Sequence, residues 1–360
     1  TYGTKDHGWR AGLPFQWSVY DTPQWYELWL DDSNFAFMGF ANAFWFGVNR
    51  NLTRPDEMAE GVVAPTNENN AMWTVRWMLR HWPVDPDRLP MYGSSMGGAG
   101  NVSISVRHPE YFSGLEQNVP PVNTTKLPSL KGYGPEIWGP LDKPVKAAEG
   151  GTVWERLDSV RQLREHPVRL PPALLTAGRT DKAVPWEYMI PYFRLIEEQG
   201  QPVVIVWDNQ AHGGRTLWDK LPETRDHLAW IHRTSRREPV LAFAYGTAND
   251  DPGDGSQDSG AKVGTINLYY HGKIKADTPR RFEADYWYER DDRTDGGTTD
   301  VIPCRLQAFP RGKGRTVRYA IRAGDEVVRD GTVTIDNYGV YRIRKAPCDR
   351  RYTLVLTATK

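Results

Sequence analysis

Residues 93–97 read Gly93-Ser94-Ser95-Met96-Gly97, a serine held between glycines at the spacing G-x-S-x-G. A serine is a weak nucleophile until a neighbouring base takes its proton. The base in turn needs an acid to orient it and to stabilise its cation. Context makes this spacing chemically meaningful. A short apolar run, Arg88–Tyr92, leads into it, and a glycine-rich helix start, Gly97-Gly98-Ala99-Gly100, leads out. A strand that turns sharply into a helix lifts a serine Oγ above the sheet edge, and the helix N-terminus favours developing negative charge. Such a turn leaves little room for side chains on its flanks, at Gly93 and Gly97. The alternative reading is a small-residue turn where a helix packs on a strand.

Base and acid candidates lie further on. Ala173–Ala177 runs into Gly178-Arg179-Thr180-Asp181, and Val203–Trp207 runs into Asp208-Asn209-Gln210-Ala211-His212-Gly213-Gly214. In an α/β sheet, functional groups gather at the carboxyl ends of strands. His212 is the candidate base. His81 falls at a helix end, His227 and His232 in or at the end of the last helix, His108 and His166 before prolines, and His271 in a β-rich stretch. These suit packing or surface roles. Two acids compete to orient His212. Asp208 is only four residues away and suits the end of its own strand. Asp181 follows the preceding strand and can reach the imidazole from the side. Asp181 is preferred, its alternative role being a turn cap ahead of Val184-Pro185.

The elements that must position these groups alternate. Phe35–Phe40 reads as a buried strand. Asn69–Trp82 reads as a helix with Ala71, Val75, Met78 and Trp82 on one face. Strand Arg88–Tyr92, helix Met96–Arg107 and strand Gly114–Val119 follow. Strand Ala173–Ala177, helix Trp186–Gln199, strand Val203–Trp207 and helix Glu223–Arg233 complete the rhythm. This predicts a mostly parallel α/β sheet with helices on both faces. Residues 120–172 interrupt it and are too long for an ordinary connection. They read as a cap or lid containing a helix, Val153–Arg164. A connection leaving the carboxyl end of a strand starts on the catalytic side. Tyr133, Trp138 and Trp154 are therefore expected at the pocket mouth as substrate-binding residues.

Beyond Arg233–Pro239 the period changes to two, as in Thr265–His271, Arg281–Tyr288, Thr316–Ile321, Gly339–Ile343 and Tyr352–Thr357. Gly- and Asp-rich turns separate these runs, which predicts an antiparallel β-sandwich. The chain thus divides into a catalytic domain, 1–235, with its cap at 120–172, and an accessory β-sandwich domain, 236–360. The acidic loops Asn249–Gly260 and Asp291–Asp300 read as solvated hairpin loops, since neither has the spacing or closing Glu of an EF-hand. Cys304 and Cys348 suit either a disulfide or two buried thiols.

The segment Val84-Asp85-Pro86-Asp87-Arg88, with Tyr92-Gly93-Ser94-Ser95-Met96-Gly97-Gly98, resembles the elbow region of α/β-hydrolase serine esterases. The likeness is to the esterase, polyhydroxyalkanoate-depolymerase and feruloyl-esterase branch that borders the prolyl-oligopeptidase-like hydrolases. Gly178–Pro185 resembles the acid loop of the same group and Ala211-His212-Gly213 its histidine loop. The order Ser, Asp, His is that of α/β-hydrolases. The resemblance covers roughly residues 35–235. It implies a triad of Ser95, Asp181 and His212, with the Met96 N–H as one oxyanion donor. His7-Gly8-Trp9 resembles the His-Gly of the loop that supplies the second donor, which would be Trp9. An ordinary N-terminal turn is the alternative there. The stretch before the elbow is short for the full set of strands.

Composition bounds the rest. The 360 residues are 39% apolar and 25% charged, so they can build a substantial core. Lys+Arg and Asp+Glu both number 45, which argues against a nucleic-acid partner bound by bulk charge. No apolar run is long enough to span a bilayer. No metal-ligand, Walker or dinucleotide pattern occurs, so no metal or cofactor is expected. The 15 Trp, 17 Tyr and 11 Phe can build a core or line carbohydrate or aromatic-ester surfaces. The start Thr1-Tyr2-Gly3 carries neither Met nor a leader pattern, which suits a mature secreted chain or a trimmed one, and the expectation is a secreted or periplasmic protein. The expected function is hydrolysis of carboxylic esters of small molecules or polymers, such as carbohydrate esters, hydroxycinnamates or polyesters. The rivals are a prolyl-oligopeptidase-like peptidase and a degenerate hydrolase that binds carbohydrates or surfaces.

Overall fold

The computed structural model describes residues 15–18, 27–30, 43–212, 221–290 and 297–358. The expected strand Phe35–Phe40 and the His7-Gly8-Trp9 turn lie outside these residues. Strands β1 (Phe15–Ser18) and β2 (Glu27–Leu30) pair antiparallel. Then come β3 (Val48–Asn49), β4 (Val62–Ala64) and helix α1 (Thr66–His81). Strand β5 (Pro90–Ser94), helix α2 (Met96–Arg107) and strand β6 (Gly114–Asn118) follow. Residues 120–172 carry α3 (Leu130–Trp138), β7 (Lys146–Ala147), α4 (Val153–Arg156) and α5 (Ser159–Glu165). Next are β8 (Ala173–Gly178), α6 (Trp186–Gln199), β9 (Val203–Asp208) and α7 (Pro222–Arg233).

The central sheet has the order β11-β9-β8-β6-β5, where β11 is Gly264–Ile266. The strands β5, β6, β8 and β9 run parallel, and β11 joins β9 antiparallel. Every residue of β8 and β9 is buried, as suits parallel strands covered on both faces. The pleat sends alternate side chains to opposite sides. Leu175, Ile205 and Trp207 enter one core with α1, α2 and α6. Leu174, Val204 and Val206 enter a second core with residues from beyond position 240.

That later part is antiparallel throughout its pairings. Strands β10 (Val240–Ala244), β14 (Thr298–Cys304) and β17 (Ile343–Pro347) form one sheet in the order β10-β14-β17. Strands β12 (Tyr270–Asp277), β13 (Arg281–Tyr288), β15 (Thr316–Ala323), β16 (Glu326–Thr334) and β18 (Tyr352–Ala358) form another, in the order β12-β13-β18-β15-β16. Phe243, Val301 and Ile343 of the first share a core with Phe282, Leu354 and Leu356 of the second. Cys304 and Cys348 are buried free thiols.

Two expected elements are divided in the structure. The run Thr265–His271 splits between sheets, with β11 in the central sheet and β12 in the later one. The break is Asn267, at φ 65, whose amide donates to the carbonyls of Val203 (3.3 Å) and Phe243 (2.9 Å). Asn tolerates this left-handed backbone better than most residues. The cap helix expected at 153–164 is two helices. Asp158 leaves the helical conformation and caps α5 by accepting from the Arg161 N–H at 3.0 Å.

A buried ion cluster ties α1 to the end of α2. Glu68 lies 2.5 Å from Arg107 Nη2 and 2.9 Å from His108 Nε2. Burial alone raises the Glu68 pKa. Hydrogen bonds and charge from His108 and Arg107 outweigh it and hold the carboxyl below its usual range.

Candidate active site

Ser95 occupies the hinge between β5 and α2. Its backbone sits at φ 53, ψ −118, outside the regions an L-residue prefers. Its N–H donates to the Asn118 carbonyl at 2.9 Å, and its own carbonyl accepts from the Ala99 N–H at 2.9 Å. The strained residue is thus pinned to β6 on one side and to the first helical turn on the other. A Cβ at Gly93 would stand 2.1 Å from the Gly97 carbonyl oxygen, so no larger residue fits there. Gly97 differs from the expectation: a Cβ there would meet nothing within 4 Å, so the tightness of the turn falls on Gly93 alone of the two.

The Ser95 hydroxyl lies 2.7 Å from His212 Nε2, and His212 Nδ1 lies 2.6 Å from Asp181 Oδ2. A carboxylate only accepts, so Nδ1 carries the proton and donates to it, leaving Nε2 to accept from the hydroxyl. Asp181 is 5% exposed, and its other oxygen accepts from the N–H groups of Ala183 (2.8 Å) and Val184 (3.0 Å). Those two bonds hold the carboxylate in one orientation. Asp208 points elsewhere: its Oδ1 accepts from the Gln210 N–H at 3.1 Å and shapes the turn that carries His212.

The acid and histidine turns are stitched together. The Arg179 N–H donates to the Asp208 carbonyl (2.8 Å) and the Thr180 N–H to the Gln210 carbonyl (3.1 Å). Met96 is the first residue of α2, so its N–H has no carbonyl one turn back and is available at the helix N-terminus. Among the described residues, no group of three or more His, Cys, Asp or Glu side chains is arranged to hold a metal. No described helix is long and apolar enough to cross a membrane.

Of the aromatic residues assigned to the pocket mouth, Trp138 lies elsewhere. Trp138 is 0% exposed, and its indole N–H donates to the Gly47 carbonyl at 2.7 Å. Its ring packs against Phe44 and Trp154, each with centroids 6.2 Å away. It is a core residue and cannot touch a ligand without unfolding its surroundings. Trp154 is partly buried against that core, and its indole N–H donates to the Lys143 carbonyl at 2.8 Å. Tyr133 falls on α3, with its side chain outside the description, and Trp9 lies outside the described residues.

Sequence reasoning missed residues that support the elbow. The Trp45 indole N–H donates to the Met96 carbonyl at 3.1 Å, and a Cβ at Gly100 would lie 2.4 Å from its ring. Asn118 donates from its amide to Ser94 Oγ at 2.9 Å, and Thr176 Oγ1 donates to Asn118 Oδ1 at 2.5 Å. This buried chain links β5, β6 and β8 directly beneath Ser95. The sequence signal for this chain was slight: Ser94 and Asn118 end their strands, and Thr176 lies two residues from the end of β8.

Residues 69–237 match the prolyl oligopeptidase family, Peptidase_S9. Comparison with curated proteins finds no match. Among solved structures, similarity extends to an S-formylglutathione hydrolase from Agrobacterium tumefaciens, at 20% identity and TM-score 0.34, over 45% of this chain and 55% of that one. A fluorophosphonate-binding serine hydrolase F from Staphylococcus aureus aligns at 15% identity and TM-score 0.36, over 46% and 63%. A puromycin-hydrolyzing peptidase from Mycobacterium tuberculosis aligns at 16% identity and TM-score 0.36, over 46% and 25%. This chain spans less than two thirds of the length of each. Residues 69–237, which carry the elbow, the acid turn and the histidine, are thus similar to the prolyl oligopeptidase family.

Proposed function

We propose that this protein hydrolyses carboxylic esters through a Ser95–His212–Asp181 triad and an acyl-enzyme. The observation that carries this reading is the unbroken line of hydrogen bonds from Ser95 Oγ through the imidazole to Asp181, with the serine on a strained strand-to-helix turn. His212 takes the hydroxyl proton as Ser95 attacks the ester carbonyl. Asp181 keeps the imidazole in the right tautomer and stabilises its cation. The Met96 N–H, at the positive end of α2, receives the developing oxyanion, an interaction worth about 3–4 kcal/mol per donor. His212 then protonates the leaving alcohol, and water repeats the sequence on the acyl-enzyme.

Residues 1–235 would form the catalytic unit. Residues 236–360 would be an accessory β-sandwich that lends β11 to the central sheet. A peptidase is the second reading, favoured by the match of residues 69–237 to the prolyl oligopeptidase family. A panel of nitrophenyl esters, acetylated sugars, feruloyl esters, a polyester and peptide amides separates the two. Faster turnover of amides than of every ester overturns the esterase reading. A fluorophosphonate probe that fails to label Ser95 overturns both and favours a binding protein with a degenerate hydrolase site.

A further inference from the structure

Arg179 stands one residue from Asp181, with Thr180 between, and is 0% exposed. A buried guanidinium normally finds a carboxylate, because taking a charge out of water is costly. Arg179 is held by carbonyls instead. Nη1 donates to Ala261 (2.8 Å); Nη2 faces Ser256 (2.9 Å), Gln257 (3.1 Å) and Ser259 (2.8 Å). Its flat face lies over the Trp186 ring, 5.3 Å from the centroid. All four acceptors lie within residues 256–261, at the end of the acidic loop just before β11. That loop grips back: Gln257 Nε2 donates to the Arg179 carbonyl at 2.6 Å. Two indoles secure it further, Trp207 donating to Ala261 (2.9 Å) and Trp186 to Pro252 (3.3 Å).

We propose that Arg179 is a positioning residue for Asp181, and that the 250–261 loop is the clamp that operates it. The inference rests on the triad reading above and extends it to a segment from outside the family-matched region. The physical reasoning is short. The Arg179 and Thr180 N–H groups tie the acid turn to the histidine turn, but two backbone bonds leave the turn able to rotate about its own axis. The guanidinium, anchored on a second body of the chain, removes that freedom. Asp181 then stays within hydrogen-bond reach of His212, where a displacement of about 1 Å costs roughly a hundredfold in rate.

The test uses the full chain and Gln257→Ala, a variant of an exposed side chain that removes one grip and leaves the core untouched. Arg179→Lys and Arg179→Met give the stronger perturbations. Gln257→Ala should lower kcat by about three- to tenfold with KM within about twofold. In an Asp181→Asn background the same change should cost less than about 1.5-fold, since the group it positions has already gone. Arg179→Lys should retain more activity than Arg179→Met. A second readout needs no turnover: the far-downfield proton resonance of the His212 Nδ1–H, assigned by its loss in Asp181→Asn, should broaden or shift in Gln257→Ala. An unchanged resonance with unchanged kcat, or an equal loss in both backgrounds, overturns the proposal. A resonance that responds to Gln257→Ala in a protein that turns over no ester overturns the esterase reading alone and leaves the clamp standing. A parent protein with no such resonance removes the pair the clamp is said to hold, and overturns both.

Discussion

The carboxyl ends of β5, β8 and β9 and the 120–172 segment between β6 and β8 are built on opposite terms. At the strand ends, polar groups face polar groups: hydroxyl to imidazole, imidazole to carboxylate, carboxylate to backbone N–H. In the 120–172 segment, rings face rings, and their indole N–H groups turn back onto the backbone. Trp138 and Asp181 are both buried. What separates them is whether a buried polar group is satisfied by another titratable group or by a fixed carbonyl. The first arrangement can move a proton; the second only holds shape. Aromatic density is therefore a poor guide to the site in this chain.

The largest effect that would break this contrast is at the serine. Ser95→Ala should lower turnover by a factor of about 10⁴ or more, with the fold intact by circular dichroism. Activity within tenfold of the parent would remove the chemistry from the strand ends. Next comes the pair of acids. Asp181→Asn should cost about 10³-fold in kcat, against less than about tenfold for Asp208→Asn, which perturbs the turn that carries His212. A reversed order in steady-state kinetics would assign the acid to the histidine's own strand.

The cap sharpens the comparison from the other side. Trp138→Ala should cost about 3–5 kcal/mol of stability in denaturant titration and leave KM for small esters unchanged in whatever protein remains folded. A changed KM with unchanged stability would return that ring to the pocket.

The smallest effect concerns Glu68, buried and charged yet remote from the proposed chemistry. Its pKa is lower folded than unfolded, so its stabilising contribution is complete above the ordinary carboxylate value of 4.5. It is lost as pH falls through the lower folded value. Glu68→Gln should cost about 2–3 kcal/mol at neutral pH, and the gap to the parent should close on acidification. Thermal melts across that range read the difference. A gap that widened toward low pH would contradict the sign.

Much of the frame was legible because strong periods leave few alternatives. Helices Met96–Arg107 and Trp186–Gln199 carry the bounds read from sequence. Strands β8 and β9 were visible as short apolar runs ending in Gly and Asp. Ser95, Asp181 and His212, chosen for their places at strand ends, are the residues that lie within hydrogen-bond reach of one another. The losses have a common cause. Alternation says that Thr265–His271 is extended, but not that Asn267 sends its two halves to different sheets. Trp138 was read by type, whereas its burial depends on Phe44 and Gly47, distant in the chain. The Asn118 and Trp45 contacts depend on which hydroxyl or carbonyl lies opposite, which no local pattern encodes.

The antiparallel strand β11 bears on how the molecule is made. Synthesis runs from the amino end, so a nascent chain holds Ser95, Asp181 and His212 before Gly264–Ile266 has emerged from the ribosome. Until then β9 presents a bare row of N–H and C=O groups, an invitation to pair with another chain. The segment that closes this edge also carries the carbonyls around Arg179. Release from the risk of misassociation and completion of the acid turn thus arrive together, late in translation. A chain cut between Arg233 and Gly264 would keep the three residues and lose the safeguard.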